Sequence, residues 1–273
     1  MKRCRPLLGT YVEITVHDAS ERRGVEAAID AAYAAVDEVS RLMSFHDRSS
    51  ELSRINALAA GATMSVSPWT WQVLTLAQEL HAVTGGRFEC GVGARLVRWG
   101  MLPDHGHVTP DSGSMTDLVL LANHGVQALR PVCLDLGGLA KGFAVDKAVE
   151  ALTASGIMRG VVNAGGDLRV LGDAPQPIHV RDGSERRQPR YLGELAGGAM
   201  ATSASYPAGQ ANPTGMDGVL VNPFSQRPIH GDTRYTVLAP TCAVADGLTK
   251  ALAVEGHLAP DCLARYSALA LVA

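Results

Sequence analysis

Long apolar runs are missing from this chain. Nothing approaches the roughly 18 to 20 consecutive apolar residues of a membrane-spanning helix, so membrane insertion is not expected. The opening Met1-Lys2-Arg3-Cys4-Arg5-Pro6-Leu7-Leu8 runs into Gly9-Thr10 and Glu13, with no apolar stretch of signal-peptide length and no support for a lipid anchor at Cys4. Cysteine is sparse: Cys4, Cys90, Cys133, Cys242 and Cys262 are odd in number and scattered. They form no C-x-x-C pair, which excludes a disulfide framework and favours a reducing, cytoplasmic location. A charge excess is absent too, since 24 Lys+Arg stand against 27 Asp+Glu for a net −3. A protein that gains affinity by neutralising a long nucleic acid is therefore excluded, whereas a small phosphorylated ligand is not.

What is present is an ordinary globular composition. The 273 residues are 47% hydrophobic, enough for one large domain spanning 1–273, or two intimately packed lobes with a ligand site between them. The 29 glycines follow no Gly-X-Y period, and the pairs Gly85-Gly86, Gly137-Gly138, Gly165-Gly166 and Gly197-Gly198 are irregularly spaced. They read as punctuation rather than as a repeat.

Between Leu8 and His17, Val12, Ile14 and Val16 alternate with polar residues, the pattern of a half-buried strand. Val25, Ala28, Ile29, Ala32, Val36, Val39 and Met43 then recur at helical spacing, with Ser20 as a candidate cap. Ser67-Pro68 opens a second helix, which runs to about His81 and stops at Gly85-Gly86. The stretch from Met101 to Ser114 reads as loop. From Val132 the pattern is strand, Gly-rich turn, helix (Leu139 to about Ser155) and strand (Gly160 to Asn163). Short strands are expected at 168–171, 178–181, 191–195, 200–203, 218–221 and 235–239. A helix near 243–254, a shorter one near 260–266 and a strand at 268–272 complete the chain. Strands in runs with grouped helices predict an α+β fold with mixed or antiparallel sheets. Rossmann and P-loop fingerprints are both absent.

Four motifs carry the chemistry. The first is Met43-Ser44-Phe45 followed by Ser50-Glu51-Leu52-Ser53-Arg54-Ile55-Asn56, which taken alone is also a capped helical turn. The second is Thr84-Gly85-Gly86-Arg87-Phe88-Glu89, with Trp99-Gly100 downstream. The third is Leu134-Asp135-Leu136-Gly137-Gly138-Leu139-Ala140-Lys141-Gly142-Phe143-Ala144-Val145-Asp146, followed by Val162-Asn163-Ala164-Gly165-Gly166-Asp167. The fourth is Met200-Ala201-Thr202-Ser203. Without a Cβ, the Gly137-Gly138 turn can bring backbone amides and a helix N-terminus onto an anion. Lys141, unfavourable to the macrodipole in that first turn, makes sense if it answers a ligand's negative charge. Taken singly, these glycines are tight turns and Lys141 a solvated side chain.

In this order the four motifs resemble those of the ApbE-like FAD:protein FMN transferases, in register from Leu8 to Val254. The resemblance implies an ApbE-like, T-fold-related architecture. It also implies that FAD is both ligand and substrate: AMP leaves, and FMN is esterified to a Ser or Thr of an acceptor protein, usually with Mg²⁺. Met43, Arg87, Phe88, Glu89, Asp135, Gly137, Gly138, Lys141 and Leu220 are the implied FAD-site residues. Met43 and Phe88 suit packing on ring faces, and Asp135 suits bonds from adenine or ribose. Glu89 replaces the family's Asp.

Two departures fall on the catalytic region. The family pattern A-D-x-x-x-T reads Ala245-Asp246-Gly247-Leu248-Thr249-Lys250 here, placing Lys250 where Thr is usual and Thr249 one position earlier. Either Thr249 joins Asp246 and the Gly138 carbonyl as metal ligands, or the Lys250 ammonium replaces Mg²⁺ beside Asp246; Asp246, Thr249 and Lys250 are the candidate catalytic residues. The plain alternative is a surface i,i+4 pair worth about 0.3 to 0.5 kcal/mol. In Gly218-Val219-Leu220-Val221-Asn222-Pro223, Val219 stands at the family's His, a candidate base for the acceptor hydroxyl. His230, downstream in a loop, is either a substitute or, the plainer reading, a loop histidine without a role, and His105 with His107 lack a third metal ligand. The expected activity is FMN transfer. An FAD-binding protein without efficient transfer and an FAD pyrophosphatase releasing FMN and AMP are the alternatives.

Overall fold

Apolar periodicity becomes architecture directly in the first long helix. In the computed structural model, which describes residues 1–18, 22–106, 108–109, 112–181, 189–204 and 220–273, Val25, Ala28, Ile29, Ala32, Val36, Val39 and Met43 are all buried on one face of α1 (Arg22–Met43). A hairpin of β1 (Lys2–Leu7) and β2 (Thr10–Val16) precedes it. After it come α2 (Glu51–Asn56), β3 (Thr63–Ser65) and α3 (Pro68–Val83). Ser67 caps α3 by accepting from the Thr70 amide at 3.1 Å, with Pro68 in the first turn. Gly85 and Gly86 end that helix at φ +59° and +82°, a region that L side chains avoid.

The chain continues through α4 (Gly93–Arg98), β4 (Leu118–Leu121), β5 (Gly125–Ala128), α5 (Ala140–Ala154), β6 (Gly160–Ala164) and β7 (Asp167–Leu171). Next are β8 (Gln176–Arg181), β9 (Pro189–Leu195), β10 (Ala199–Ala204), β11 (Val221–Asn222), β12 (Arg227–Pro228) and β13 (Arg234–Ala239). Two helices, α6 (Cys242–Glu255) and α7 (Pro260–Arg265), and the strand β14 (Leu269–Val272) close it. Ser20, His107, Gly218 and Val219 lie outside the described residues.

The main sheet is antiparallel throughout, in the order β1-β2-β6-β7-β10-β13-β14. Helices α5 and α6 pack on one face, and α1 lies against α5. On the other face Leu168, Val170 and Met200 meet Ile178 of the β8–β9 ribbon in a second apolar cluster. A smaller sheet, β3-β5-β4, sits beside α3. This is an α+β fold. The five cysteines are free thiols, Cys4 exposed and the rest buried. Among the described residues no helix is long and apolar enough to cross a membrane.

Strand alternation aims the polar residues. In β7, Leu168 and Val170 face the ribbon, while Asp167 and Arg169 face α5, where they meet Lys141 and Asp146. In β10, Met200 faces the ribbon and Ser203 faces α6.

Several elements differ from the sequence expectation. The sequence reading has no strand at β1, whose charges at Lys2, Arg3 and Arg5 and whose Pro6 suit a solvated sheet edge. Short β3, β4, β5 and α4 were also not anticipated; none is long enough to show a period.

Candidate functional site

The site begins where α5 and α6 touch. Thr241, the residue before α6, makes no side-chain cap. The amides of Cys242 and Ala243 instead donate to the Asp146 carboxylate of α5, both at 2.9 Å. Arg169 Nη1 shares that carboxylate at 2.8 Å, so one acidic side chain caps a helix and closes an ion pair. Gly142 allows the contact, because a Cβ there would overlap the Cys242 carbonyl. The Gly142 amide donates to Asp246 Oδ2 at 3.1 Å.

Asp246 is fully buried, and its other oxygen takes an ion pair from Lys250 one turn on. The Lys250 ammonium also donates to Ser203 Oγ at 2.8 Å and to Thr249 Oγ1 at 3.1 Å. Thr249 in turn donates to the Asp246 carbonyl at 2.7 Å and lies 2.7 Å from the Ser203 hydroxyl. Three N–H donors meet three oxygens, and the Lys250 side chain stays 24% exposed on its remaining side. Its stem crosses Gly138: a Cβ at Gly138 would lie 3.2 Å from Lys250 Cγ and 3.4 Å from Cε.

A second ion pair stands beside the first. Lys141 Nζ binds Asp167 Oδ2, and the Thr202 amide reaches Asp167 Oδ1 at 3.2 Å. Asp167 is the first residue of β7, set there by the two-residue Gly165-Gly166 turn (φ +65° and +111°) that joins it to β6. Burial alone would lower the Lys141 pKa, but Asp246 and then Asp167 outweigh it and raise it. Lys141 is thus answered within the chain by Asp167 and Asp246.

The remaining predicted residues divide. Asp135 adjoins this cluster and accepts from the Gly137 amide at 3.0 Å; burial raises its pKa, with His46 and Lys250 acting against the rise. The Gly137 amide is therefore already engaged within the chain. Met43, Phe88 and Leu220 are built into the main hydrophobic cluster at 4%, 2% and 8% exposure, so they offer almost no free face to a flavin ring. Arg87 pairs with Glu255 at the far end of α6, at 2.7 Å. Glu89 turns inward, accepting from the amides of Gly91 and Met115 and pairing with His81 at 3.1 Å. His230 is exposed, and His105 bonds the Phe45 carbonyl and Arg48. Among the described residues no group of three or more His, Cys, Asp or Glu assembles as a metal site.

Sequence reasoning missed the partners rather than the motifs. Ser203, Asp167, Asp146 and Gly142 all stand within the quoted motifs, yet none was assigned to the site. The available signal was strand alternation, which puts Ser203 two residues from buried Ala201 on one face. Asn56 was likewise read only as part of a turn. Its amide grips the Leu134 backbone twice, at 2.8 and 2.9 Å, and so holds the segment that leads to Asp135 and Gly137.

Residues 8–271 match the ApbE family model. An FAD:protein FMN transferase of Rhodobacter capsulatus is 31% identical over 76% of this chain, a match that covers 42% of that protein's length. The one from Vibrio cholerae serotype O1 is 30% identical over 81% of this chain and 71% of its own. The crystal structure of the ApbE protein from Thermotoga maritima superposes with a TM-score of 0.78 at 26% identity, covering 93% of this chain and 86% of that one.

Proposed function

Because the chain belongs to the ApbE family, we propose that it is an FAD:protein FMN transferase. It binds FAD, splits the phosphoanhydride and passes FMN to a Ser or Thr hydroxyl of an acceptor protein, releasing AMP. The observation that carries this reading is the convergence of the Gly137-Gly138 turn, the first turn of α5 and the charged face of α6 around two lysines and two buried carboxylates.

In the transfer the acceptor oxygen bonds the FMN-side phosphorus as the bridging P–O bond breaks. AMP leaves with that electron pair, and the acceptor proton passes to solvent. Negative charge spreads over the phosphoryl oxygens, so catalysis rests on position and fixed positive charge. Lys141 and Lys250 supply that charge. Asp135 faces the same turn and accepts from adenine or ribose. Met43, Phe88 and Leu220 form the packed wall behind the ligand, while Arg87 and Glu89 brace the loop after α3.

The Mg²⁺ that the resemblance implies does not fit these residues. Lys250 and the Gly142 amide hold the two oxygens of Asp246, and the Thr249 hydroxyl is turned to the Asp246 carbonyl while accepting from Lys250.

Incubation of the purified chain with FAD and a Ser/Thr-bearing acceptor protein, with AMP followed by chromatography and covalent flavin by in-gel fluorescence, tests the reading. AMP and flavin-labelled acceptor should appear in equal amounts. Free FMN with AMP would assign hydrolysis instead, and FAD recovered intact would leave a binding protein; either overturns the transferase.

A further inference from the structure

We propose that Lys250 is the resident cation of this site and makes pyrophosphate binding independent of a divalent metal. This inference rests on the FAD-site reading above and adds to it the identity of the group that meets the phosphates.

Three observations converge. First, the ammonium is held from three directions, by Asp246, Ser203 and Thr249, on a buried carboxylate and two hydroxyls from two different elements. A solvated surface lysine has no such cage. Second, its stem takes the space beside Gly138 that a side chain there would need, so the missing Cβ makes room for Lys250 itself. Third, each lysine already has a carboxylate of its own. Lys141 and Lys250 offset Asp167 and Asp246. A divalent ion entering on Asp246 and Thr249 would stand beside an ammonium bound to the same oxygens. Mg²⁺ requires near-octahedral oxygen ligands at about 2.1 Å, and those oxygens are already committed.

The open side of the ammonium lets it trade a hydroxyl contact for a phosphate oxygen. Lysine binds phosphate as a point charge and needs no fork geometry. Ser203 is then a positioning residue, since its hydroxyl links Lys250 to β10.

Mn²⁺ titration followed by electron paramagnetic resonance, on the wild-type chain without FAD, reads the inference directly. Quenching of flavin fluorescence in EDTA and in Mg²⁺ reads it through the ligand. The wild type should hold no stoichiometric Mn²⁺, and its FAD affinity should agree in the two buffers within about twofold. Lys250→Thr should take up one Mn²⁺ per chain and bind FAD at least about tenfold more tightly with Mg²⁺ than with EDTA. Stoichiometric Mn²⁺ on the wild type, or an affinity that falls about tenfold in EDTA, would overturn it. A folded Lys250→Thr chain that takes up no Mn²⁺ would count equally against it. Should that variant not fold, the wild-type arms decide alone. If the chain binds no FAD at all, the function proposed above fails, while the Mn²⁺ arm still reports on Lys250.

Discussion

Glu89 shows what one side chain can be asked to do. Its carboxylate accepts from the Gly91 and Met115 amides and pairs with His81, tying the loop after α3 to the turn before β4. The hydrogen bond to Glu89, set against burial, raises the His81 pKa. A raised histidine adds stability that is complete below its unfolded value of about 6.5 and is lost as pH climbs through the folded value. His81→Gln should therefore lower Tm more near pH 6 than near pH 8.5. Equal losses at the two pH values in thermal scans would mean that the pair carries no such linkage. At this scale the sequence was legible in kind and not in pairing. A lysine in the first turn of α5 suggests from sequence the negative charge of a ligand, whereas its partner within the chain, Asp167, is reached only through the fold.

Helix α6 shows why an element need not carry its own ends. Its first amides bond to Asp146, a residue of another helix, which Arg169 of β7 steadies. Asp146→Ala removes the acceptor of two buried amides and strands the arginine. It should cost about 2 to 3 kcal/mol, discounted for the partial exposure of Arg169. Urea unfolding should show a lower midpoint with an unchanged slope, and an unmoved midpoint would refute the shared cap. Elements with long periods or explicit caps, such as α1 and α3, stand close to where the sequence puts them. The cap of α6 was illegible because no local spacing relates Asp146 to Cys242. Asp246 stands out in the sequence as a candidate, while its cage requires knowing that β10 presents Ser203 toward α6.

Across the whole molecule, the chain joins its smaller sheet to its larger one by threading 132–136 between distant parts. Asn56 clasps Leu134, the Gly93 amide meets the Cys133 carbonyl at 3.0 Å, and the Asp135 amide meets the Cys90 carbonyl at 2.8 Å. Asn56→Ala leaves a buried N–H and C=O without partners and should cost about 2 to 4 kcal/mol. Calorimetry on the intact chain measures it, and a loss under about 0.5 kcal/mol, the ordinary surface value, would show that the clasp is dispensable. The motif residue Asn56 thus serves the fold, a role that composition alone does not reveal.

The backbone contact at Gly142 carries this furthest. Helices α5 and α6 meet there without side chains between them, and the same contact orients Asp246. The packing of the two helices and the placement of that carboxylate therefore depend on one and the same backbone contact. Amide protons at Gly142, Cys242 and Ala243, which donate to the buried carboxylates of Asp246 and Asp146, should exchange slowly with solvent, and hydrogen exchange at these three positions measures how firmly the contact is held.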